Sequence, residues 1–276
     1  MKHFSNTYIY IFSAVMVIVV AVLLSFVSQL LKPIQEKNER TEQMRNILAA
    51  VNVEATARNA EQLYNKYIKE SFVINPDGEE SDHLNPLTVD LKKQATTIAS
   101  VNTLKLKLVE RKISPFKKAI AGTKKNKLTD SALVNDEISK LSQTLQLPVY
   151  ICTKDEKKYY VFALRGKGLW GPVWGYISLE DDFNTVYGAY FDHKSETPGL
   201  GAEIKTPVFY SQFRNKKIYN ESSTLVSVKV LKGGGSDTNP HSVDAISGGT
   251  ITSKGVEKML EDWLDQYNLF IKNQKE

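Results

Sequence analysis

Asp244-Ala-Ile-Ser-Gly-Gly-Thr-Ile-Thr-Ser253 is the stretch around which the rest of the chain is organised. It places hydroxyl side chains on both sides of a Gly-Gly pair, directly before an amphipathic segment. Glycine lets the backbone come close to a ligand, and the first turn of a helix presents free N–H groups that attract phosphate. The stretch therefore indicates either a site for a phosphorylated cofactor or a Ser/Thr-rich helix N-cap that follows a glycine turn.

The segment that follows this turn predicts a long amphipathic helix. Its apolar residues recur three and four positions apart, as the core-facing side of a helix requires. They are Val256, Met259, Leu260, Trp263, Leu264, Tyr267, Phe270 and Ile271. We expect the helix to begin within Thr250–Ser253, with Thr252 or Ser253 as its N-cap.

The N-terminal region contains a long run without a charged residue, Tyr8–Leu31. A run of this length predicts a helix that crosses the lipid bilayer, preceded by a short tail at residues 1–7. Because the run is longer than the apolar core of a signal peptide, we expect an uncleaved anchor. A single span cannot enclose an ion path, and this one offers no carboxylate for sodium.

The charges beside this span favour a cytoplasmic location for the rest of the chain. The flank after the span carries Lys32, Lys37, Arg40 and Arg45, whereas the N-terminal tail carries Lys2. By the positive-inside rule, the more basic flank stays in the cytoplasm. Glutamates are interleaved with these basic residues, and a large domain can cross a membrane regardless of nearby charge.

The composition argues against several classes of function. The chain has 36 basic and 31 acidic residues, a mixed surface without the basic patch and interleaved aromatics typical of nucleic-acid binding. A single cysteine, Cys152, excludes an internal disulfide, a Cys-ligated iron–sulfur cluster and a Cys-rich zinc site. The four histidines are scattered along the chain. We therefore predict no nucleic-acid partner and no metal site.

The remaining sequence predicts a helical stalk and an α+β domain. Residues 32–71 show helical spacing, with a break near Asn52–Glu54, and the soluble domain is expected to span residues 72–276. Strands are predicted at 72–75, 104–108, 149–153, 159–164, 174–179, 185–191 and 225–230, and helices at 128–145 and 206–213. The lysine-rich stretch 117–127 and the glycine-rich stretch 232–236 are expected to be loops. The strand runs predict a mixed or antiparallel sheet that is followed by the C-terminal helix.

Two further loops contain residues suited to ligand binding. Arg165–Gly175 is rich in glycine and contains two tryptophans, which would form either a wall for a planar ligand or anchors in the core. His193–Gly201 contains a Pro-Gly turn together with Glu196 and Thr197, and it is either a ligand-binding loop or an ordinary surface loop.

Taken together, the three loops resemble the FMN-binding domain of the NqrC family, a component of the sodium-translocating NADH:quinone reductase. The related RnfG component of the Rnf electron-transport complex shares that domain. Asp244 to Thr250 matches the family's Asp-x-x-Ser/Thr-Gly-Ala-Thr motif, except that Gly249 stands where alanine is usual. Gly168–Gly171 and Glu196–Gly201 match the flavin-pocket loops. The N-terminal span, with Lys32-Pro-x-Gln-x-x-Asn38 after it, extends the resemblance over nearly the whole chain.

This resemblance implies a cofactor, the residues that hold it and the enzyme that attaches it. The FMN would be joined through its phosphate to Thr250, in a core of about residues 145–276. The remaining cofactor-binding positions would be Leu169, Trp170, Glu196, Thr197, Leu200, Gly201, Ser247, Gly248 and Gly249. A separate flavin transferase, using FAD and magnesium and releasing AMP, would recognise Asp244 and Ser247. No residue of this chain is implied to be catalytic.

The resemblance also implies a function and a location. The chain would carry electrons in a bacterial inner-membrane complex that oxidises NADH, reduces ubiquinone and exports sodium, with other subunits as partners. The soluble domain would lie in the periplasm, against the charge count given above. An Rnf-type subunit is the alternative within this class, and a cofactor-free, membrane-tethered assembly module is the alternative outside it. A free-standing flavin reductase is disfavoured, because the chain lacks a Gly-x-Gly-x-x-Gly nicotinamide fingerprint.

Overall fold

A computed structural model describes residues 5–81, 84–118, 128–234 and 238–275. The chain separates into two compact units, Met1–Gln43 and Met44–Glu276. The helices are α1 Asn6–Ala50, α2 Ala60–Tyr67, α3 Leu91–Lys118, α4 Leu128–Gln143, α5 Pro207–Tyr210 and α6 Thr250–Asn273. The strands are β1 Ile68–Ile74, β2 Leu147–Lys154, β3 Lys157–Lys167, β4 Pro172–Leu179, β5 Val186–His193, β6 Lys229–Leu231 and β7 Ser242–Asp244.

From Asn6 onward the first unit belongs to helix α1, which is long and apolar enough to cross a membrane by its length and composition. The large apolar side chains of its charge-free run are exposed, as they would be if lipid surrounded them. Pro33 lies inside the helix. The division of this region into a span and a stalk stays a prediction.

The second unit is built on a five-stranded antiparallel sheet in the order β1-β2-β3-β4-β5. Its strands consist of the β-branched and aromatic runs that the sequence marked. The β2–β3 hairpin turns at Asp155 and Glu156, both of which have positive φ, as a tight two-residue turn requires. The predicted α+β fold with an antiparallel sheet is confirmed.

Both faces of the sheet are covered. On one face the apolar stripe of α6 packs, and Trp263 and Tyr267 are among the largest buried side chains. On the other face Ile47 and Leu48, at the end of α1, pack with a group of tyrosines that includes Tyr150. Because burial on both faces fixes the register of the strands, the loops at the strand ends have defined positions.

One predicted strand is wrong. Leu104-Lys-Leu-Lys-Leu108 lies within helix α3. Leu104 and Leu108 are half-buried, whereas Leu106 is 63% exposed, so the apolar period is four residues rather than two. Leucine and lysine are strong helix formers, and a five-residue alternation is too short to outweigh the longer helical segment around it.

The helix predicted at 128–145 is confirmed as α4, and the helical segment at 206–213 consists of α5 and a following 3-10 turn. The strand predicted at 225–230 shortens to β6, which pairs in parallel with β7. Most of the predicted loop at 117–127 and part of the loop at 232–236 lie outside the described residues.

Candidate cofactor site

The three predicted loops meet at the N-terminus of α6 and enclose a cavity of about 280 Å³. Most of the predicted cofactor-binding residues line this cavity together with Thr250. The lining residues are Leu169, Trp170, Glu196, Thr197, Leu200, Gly201, Gly248, Gly249, Thr250, Ile251 and Thr252. These residues are far apart in the chain, and the fold of the second unit brings them together.

Two glycines allow the start of α6 to lie against the end of β3. A Cβ atom on Gly255 of α6 would collide with the backbone carbonyl of Lys167. A Cβ atom on Gly166 would lie 2.8 Å from the Cβ of Met259, closer than carbon atoms pack. Because both positions lack a side chain, the first turns of α6 lie beside the loop that follows β3.

Glu196 connects the other parts of the site. One carboxylate oxygen, Oε1, accepts hydrogen bonds from the backbone N–H groups of Trp170, at 2.9 Å, and Gly171, at 3.3 Å. The other oxygen, Oε2, accepts a hydrogen bond from the Thr252 hydroxyl at 2.5 Å. The backbone N–H of Glu196 donates to Nδ1 of His193 at 3.1 Å. This buried side chain therefore holds the 168–171 loop and the first turn of α6 in one arrangement.

The hydrogen bonds at Glu196 also set its charge state. Burial disfavours the carboxylate, but the hydrogen bonds from Thr252, Trp170 and Gly171 outweigh it, and the pKa of Glu196 lies below its usual range. The electrostatic influence of the nearby His193 acts in the same direction. Glu196 is therefore an anion that positions two loops, because its oxygens are occupied by donors from the protein.

The predicted N-cap of α6 is wrong. The helix begins at Thr250, its N-cap is Gly249, and no side chain forms a capping hydrogen bond. The Thr252 hydroxyl instead donates to Glu196. The Ser253 hydroxyl donates to the carbonyl of Gly249 at 2.9 Å and accepts from the N–H of Ile246 at 3.1 Å. A hydroxyl inside the first turn can bond backward to the turn before it, and this satisfies both groups without capping.

Thr250 differs from these two neighbours. Thr252 and Ser253 are buried, whereas Thr250 is half-buried at the cavity. Within the part of the chain that the structure describes, the Thr250 hydroxyl makes no hydrogen bond, and the hydroxyl of the exposed Ser247 makes none either. Among the described lining residues, the hydroxyls of Thr197 and Thr250 make no hydrogen bond, and Thr250 is the one that lies at the start of α6.

The turn before α6 fits closely under Leu200. Gly248 has φ +72°, a conformation that favours glycine, and a Cβ atom there would lie 2.5 Å from Cδ2 of Leu200. A Cβ atom on Gly201 would lie 2.5 Å from the Thr252 hydroxyl and 2.6 Å from Glu196 Oε2. Glycine at 201 thus leaves room for the hydrogen bond between Glu196 and Thr252.

Apolar side chains at the mouth of the cavity face solvent. Leu169 is 45%, Trp170 67%, Leu200 41% and Ile251 61% exposed. Ile251 and Thr252 were not predicted as site residues, although a signal existed for Ile251: it directly follows Thr250 and lies off the apolar stripe of α6. These side chains give the cavity a rim suited to a planar apolar group.

Asp244 and Ser247, the predicted recognition residues, do not line the cavity. Asp244 ends β7, and its backbone N–H donates to Oε1 of Gln212 at 2.8 Å. Ser247 is exposed in the turn that joins β7 to α6. Both residues therefore lie on the segment that carries Thr250 but outside the pocket itself.

Comparisons with known proteins agree with this arrangement. The family model described as the FMN-binding domain matches residues 168–265. The NqrC protein of the Na(+)-translocating NADH-quinone reductase from Pseudomonas aeruginosa is 30% identical over 277 residues, covering 98% of this chain and 96% of that protein. Its counterpart from Vibrio alginolyticus is 40% identical over 111 residues, and this match spans 40% of this chain and 43% of that protein.

A crystal structure of the NqrC protein from Parabacteroides distasonis superposes with a TM-score of 0.66 at 36% identity, covering 87% of this chain and 96% of that one. The resemblance drawn from the three loops is thereby confirmed. The chain belongs to the NqrC family of the Na(+)-translocating NADH-quinone reductase.

Proposed function

We propose that this chain is the electron-transfer subunit that carries covalently bound FMN in a membrane complex which oxidises NADH, reduces ubiquinone and exports sodium. One observation carries the proposal: the Thr250 hydroxyl lies unengaged at the N-terminus of a 24-residue helix, inside a glycine-lined cavity with an apolar rim. Membership of the NqrC family and the match to the FMN-binding domain support the same assignment.

The residues present fit a flavin that is held along one side. A cavity of about 280 Å³ is small for a whole nucleotide, so the ring system would remain partly in solvent against Leu169 and Trp170. The free N–H groups and the positive dipole end at the start of α6 suit the charge of a phosphodiester at Thr250. FMN, once bound, supplies the redox chemistry, and the protein supplies its position and surroundings.

Attachment would be a phosphoester between the Thr250 hydroxyl oxygen and the phosphorus of FMN. The donor would be FAD, whose pyrophosphate bond breaks as AMP leaves. A threonine hydroxyl is a poor nucleophile at its ordinary pKa, and the cavity lining offers no adjacent histidine to activate it. The activating groups and magnesium would therefore come from a separate flavin transferase, with Asp244 and Ser247 as its recognition elements.

The choice of Thr250 over its neighbours follows from the hydrogen bonds of the turn. Modification of Thr252 would break its bond to Glu196, and modification of Ser253 would break two bonds to the preceding turn. Both hydroxyls are also buried. Thr250 can be esterified without the loss of any of these bonds.

The first test is to replace Thr250 with valine, which keeps the shape of the side chain and removes the hydroxyl. The full chain is expressed with the flavin transferase, denatured, separated on a gel and viewed under ultraviolet light. We expect flavin fluorescence and an FMN-phosphate mass on the Thr250 peptide of the native chain, and neither in the valine variant.

The matched control for this test is Thr252→Ser, which keeps the hydroxyl that bonds to Glu196. It should retain the covalent flavin. An unmodified Thr250 peptide from a host that has the transferase, or flavin found on another residue, would refute the assignment.

The same gel tests the alternative of a cofactor-free, membrane-tethered assembly module, because such a module would show no flavin fluorescence. An Rnf-type role is tested by the electron donor of the purified complex. We expect NADH-dependent quinone reduction that sodium stimulates, whereas electron exchange with ferredoxin would favour the Rnf role. No observation on the described residues favours either alternative.

We also propose that the complex lies in the bacterial inner membrane and that the soluble domain is periplasmic. The apolar helix α1 and the membrane-complex relatives support membrane association. The orientation is tested by adding protease to spheroplasts. Cleavage of the domain in intact spheroplasts is expected, and cleavage that requires lysis would reverse the proposed orientation.

A further inference from the structure

A second, larger cavity of about 820 Å³ lies between α3 and α6. We call it the α3–α6 groove. Small or apolar residues form much of its lining, among them Ala95 and Ala99 of α3 and Gly255, Met259 and Trp263 of α6. Gly171 also belongs to the lining, so the groove adjoins the loop whose Leu169 and Trp170 line the cofactor cavity.

Polar contacts between the two helices begin at Asp262, a lining residue of the groove, and continue past it. Asn102 of α3 donates to Oδ1 of Asp262 at 2.7 Å, and Lys105 pairs with Asp265 at 3.1 Å. On the preceding turns of both helices, alanine and glycine take the place of larger side chains. The groove therefore lies between two helices that these contacts hold together, and Gly171 and Lys194 of the neighbouring loops complete its lining.

The groove is strongly basic. Its lining includes Lys92 of α3, Arg165 and Lys167 of β3, Lys194 after β5 and Lys258 of α6. Asp262 is the acidic residue of the lining, and it is already bonded to Lys258 at 2.6 Å and to Asn102. Because the cations come from four elements, the basic character arises from the fold and is not visible as a run of charge in the sequence.

The chemistry of the groove fits a protein surface rather than a small anion. Lys92, Lys167, Lys194 and Lys258 lie at its rim, so the positive charge is near solvent while the floor is apolar. An apolar centre with a polar rim is typical of protein–protein interfaces, and exposed tryptophan is a common anchor there. Trp170, 67% exposed, continues this surface toward the cofactor cavity.

We infer that the α3–α6 groove docks an acidic segment of the subunit that exchanges electrons with this chain, a proposal that rests on the proposed electron-transfer function. Partners in electron transfer must approach the cofactor closely, and complementary charge guides such an approach and fixes its orientation. Aspartate and glutamate side chains of the partner would lie against the lysines. Its apolar side chains would cover the floor and Trp170.

The test uses the purified, detergent-solubilised complex and a zero-length carbodiimide, which joins lysine to a carboxylate in direct contact. We expect peptide mass spectrometry to find cross-links from Lys167, whose ammonium group has no acidic partner among the described residues of this chain, to aspartate or glutamate of another subunit. A double variant, Lys92→Glu with Lys194→Glu, should lower the yield of those cross-links roughly tenfold, because two attractive contacts become repulsive.

The control is Lys157→Glu. Lys157 is an exposed lysine at the other end of β3 from Lys167, and its replacement should leave the yields unchanged. Among the described residues, the side chains of Lys92 and Lys194 make no hydrogen bond or ion pair that the double variant would lose. A melting temperature equal to that of the native chain confirms that the variant is folded.

Two results would overturn the inference. In the first, the groove lysines give no intersubunit cross-link while lysines elsewhere in the complex do. In the second, the double variant and Lys157→Glu give equal yields. Acetylation of the groove lysines gives a further comparison between the isolated chain and the complex. If these lysines are protected equally in both, the groove binds a small anion and not a segment of a partner subunit. Failure of the proposed function appears separately, as loss of flavin fluorescence from the gel.

Discussion

Glu196→Gln is the substitution that most directly tests how the site is held together. The carboxylate accepts three hydrogen bonds, from Trp170 N–H, Gly171 N–H and the Thr252 hydroxyl. Glutamine has nearly the same shape. It keeps one accepting oxygen for the two backbone donors, but it places an amide that donates where Oε2 accepts from Thr252. The variant therefore removes the charge and one acceptor without creating a cavity.

The size of the expected loss in free energy follows from the charge of the accepting carboxylate. Hydrogen bonds to a charged group contribute about 1.5–3 kcal/mol each, against about 1 kcal/mol for neutral pairs. Loss of the charge from two bonds, together with a rotated Thr252 hydroxyl, should weaken the attachment of the 168–171 loop by about 2 kcal/mol. Because about 1.4 kcal/mol is a factor of ten, the amides of Trp170 and Gly171 should exchange with deuterium roughly 30 times faster.

The assay is hydrogen–deuterium exchange on the full chain in detergent, followed by mass spectrometry of overlapping peptides that resolve Trp170 and Gly171. Glu203→Gln provides the control, because Glu203 accepts a hydrogen bond from Gly199 N–H at 2.9 Å in the neighbouring loop. The control should accelerate exchange at Gly199 and leave Trp170 and Gly171 as in the native chain. Exchange at Trp170 and Gly171 that stays within about threefold of native, or that both variants change equally, would refute the role given to Glu196.

The pH dependence supplies an independent check. The pKa of Glu196 is lowered in the folded state, so its stabilising effect is fully present above the unfolded value of about 4.3. That effect is lost as the pH falls through the lower folded pKa. The difference in protection between native chain and variant should therefore be constant above about pH 4.3, decline on further acidification and disappear once the pH is below the folded pKa.

Two further predictions concern the site and a distant turn. Gly201→Ala should sharply reduce covalent flavin, measured by gel fluorescence, because its Cβ would enter the contact between Glu196 and Thr252. Its control is Gly199→Ala, at a position with φ +75° and open space around it. This second variant should keep the flavin and lower the free energy of unfolding by about 1 kcal/mol. Asp182→Ala should lower the free energy of unfolding by about 1–3 kcal/mol in urea titrations without loss of flavin, because Asp182 accepts hydrogen bonds from Asn184 and Thr185. Burial opposes ionisation of Asp182, but these bonds prevail and lower its pKa, so the effect should be present above about pH 3.9 and fade below it.

Much of the fold was predictable because the signals are local. In β2 to β5, β-branched and aromatic runs are separated by charged or glycine-containing turns, and such runs are typical of strands whatever surrounds them. The stripe of α6 has a helical period that persists over its whole length. The motif of residues 244–250 and the loops at 168–171 and 196–201 were visible as residue types in a fixed order, and these carried the family assignment.

The misassigned strand shows where local signals fail. Leu104–Leu108 has a period of two over five residues, but the 28-residue helix α3 that contains it has a different period. Packing decides between helix and strand for this segment, since Leu104 and Leu108 are half-buried against the protein whereas Leu106 faces solvent. A short pattern cannot specify which of its residues will find a partner.

The amino-acid sequence by itself determined strands β2 to β5, the terminal helices and the identity of the residues that could serve a cofactor, because propensity and period act between near neighbours. Only the tertiary structure decided which hydroxyl in the first turn of α6 remains available. Thr252 is engaged by Glu196, which lies 56 residues earlier in the chain, and this leaves Thr250 at the cavity. The basic groove likewise exists only after Lys92, Lys194 and Lys258 are brought together. Contacts between residues so far apart depend on the burial of the sheet on both faces, and that burial belongs to no single segment.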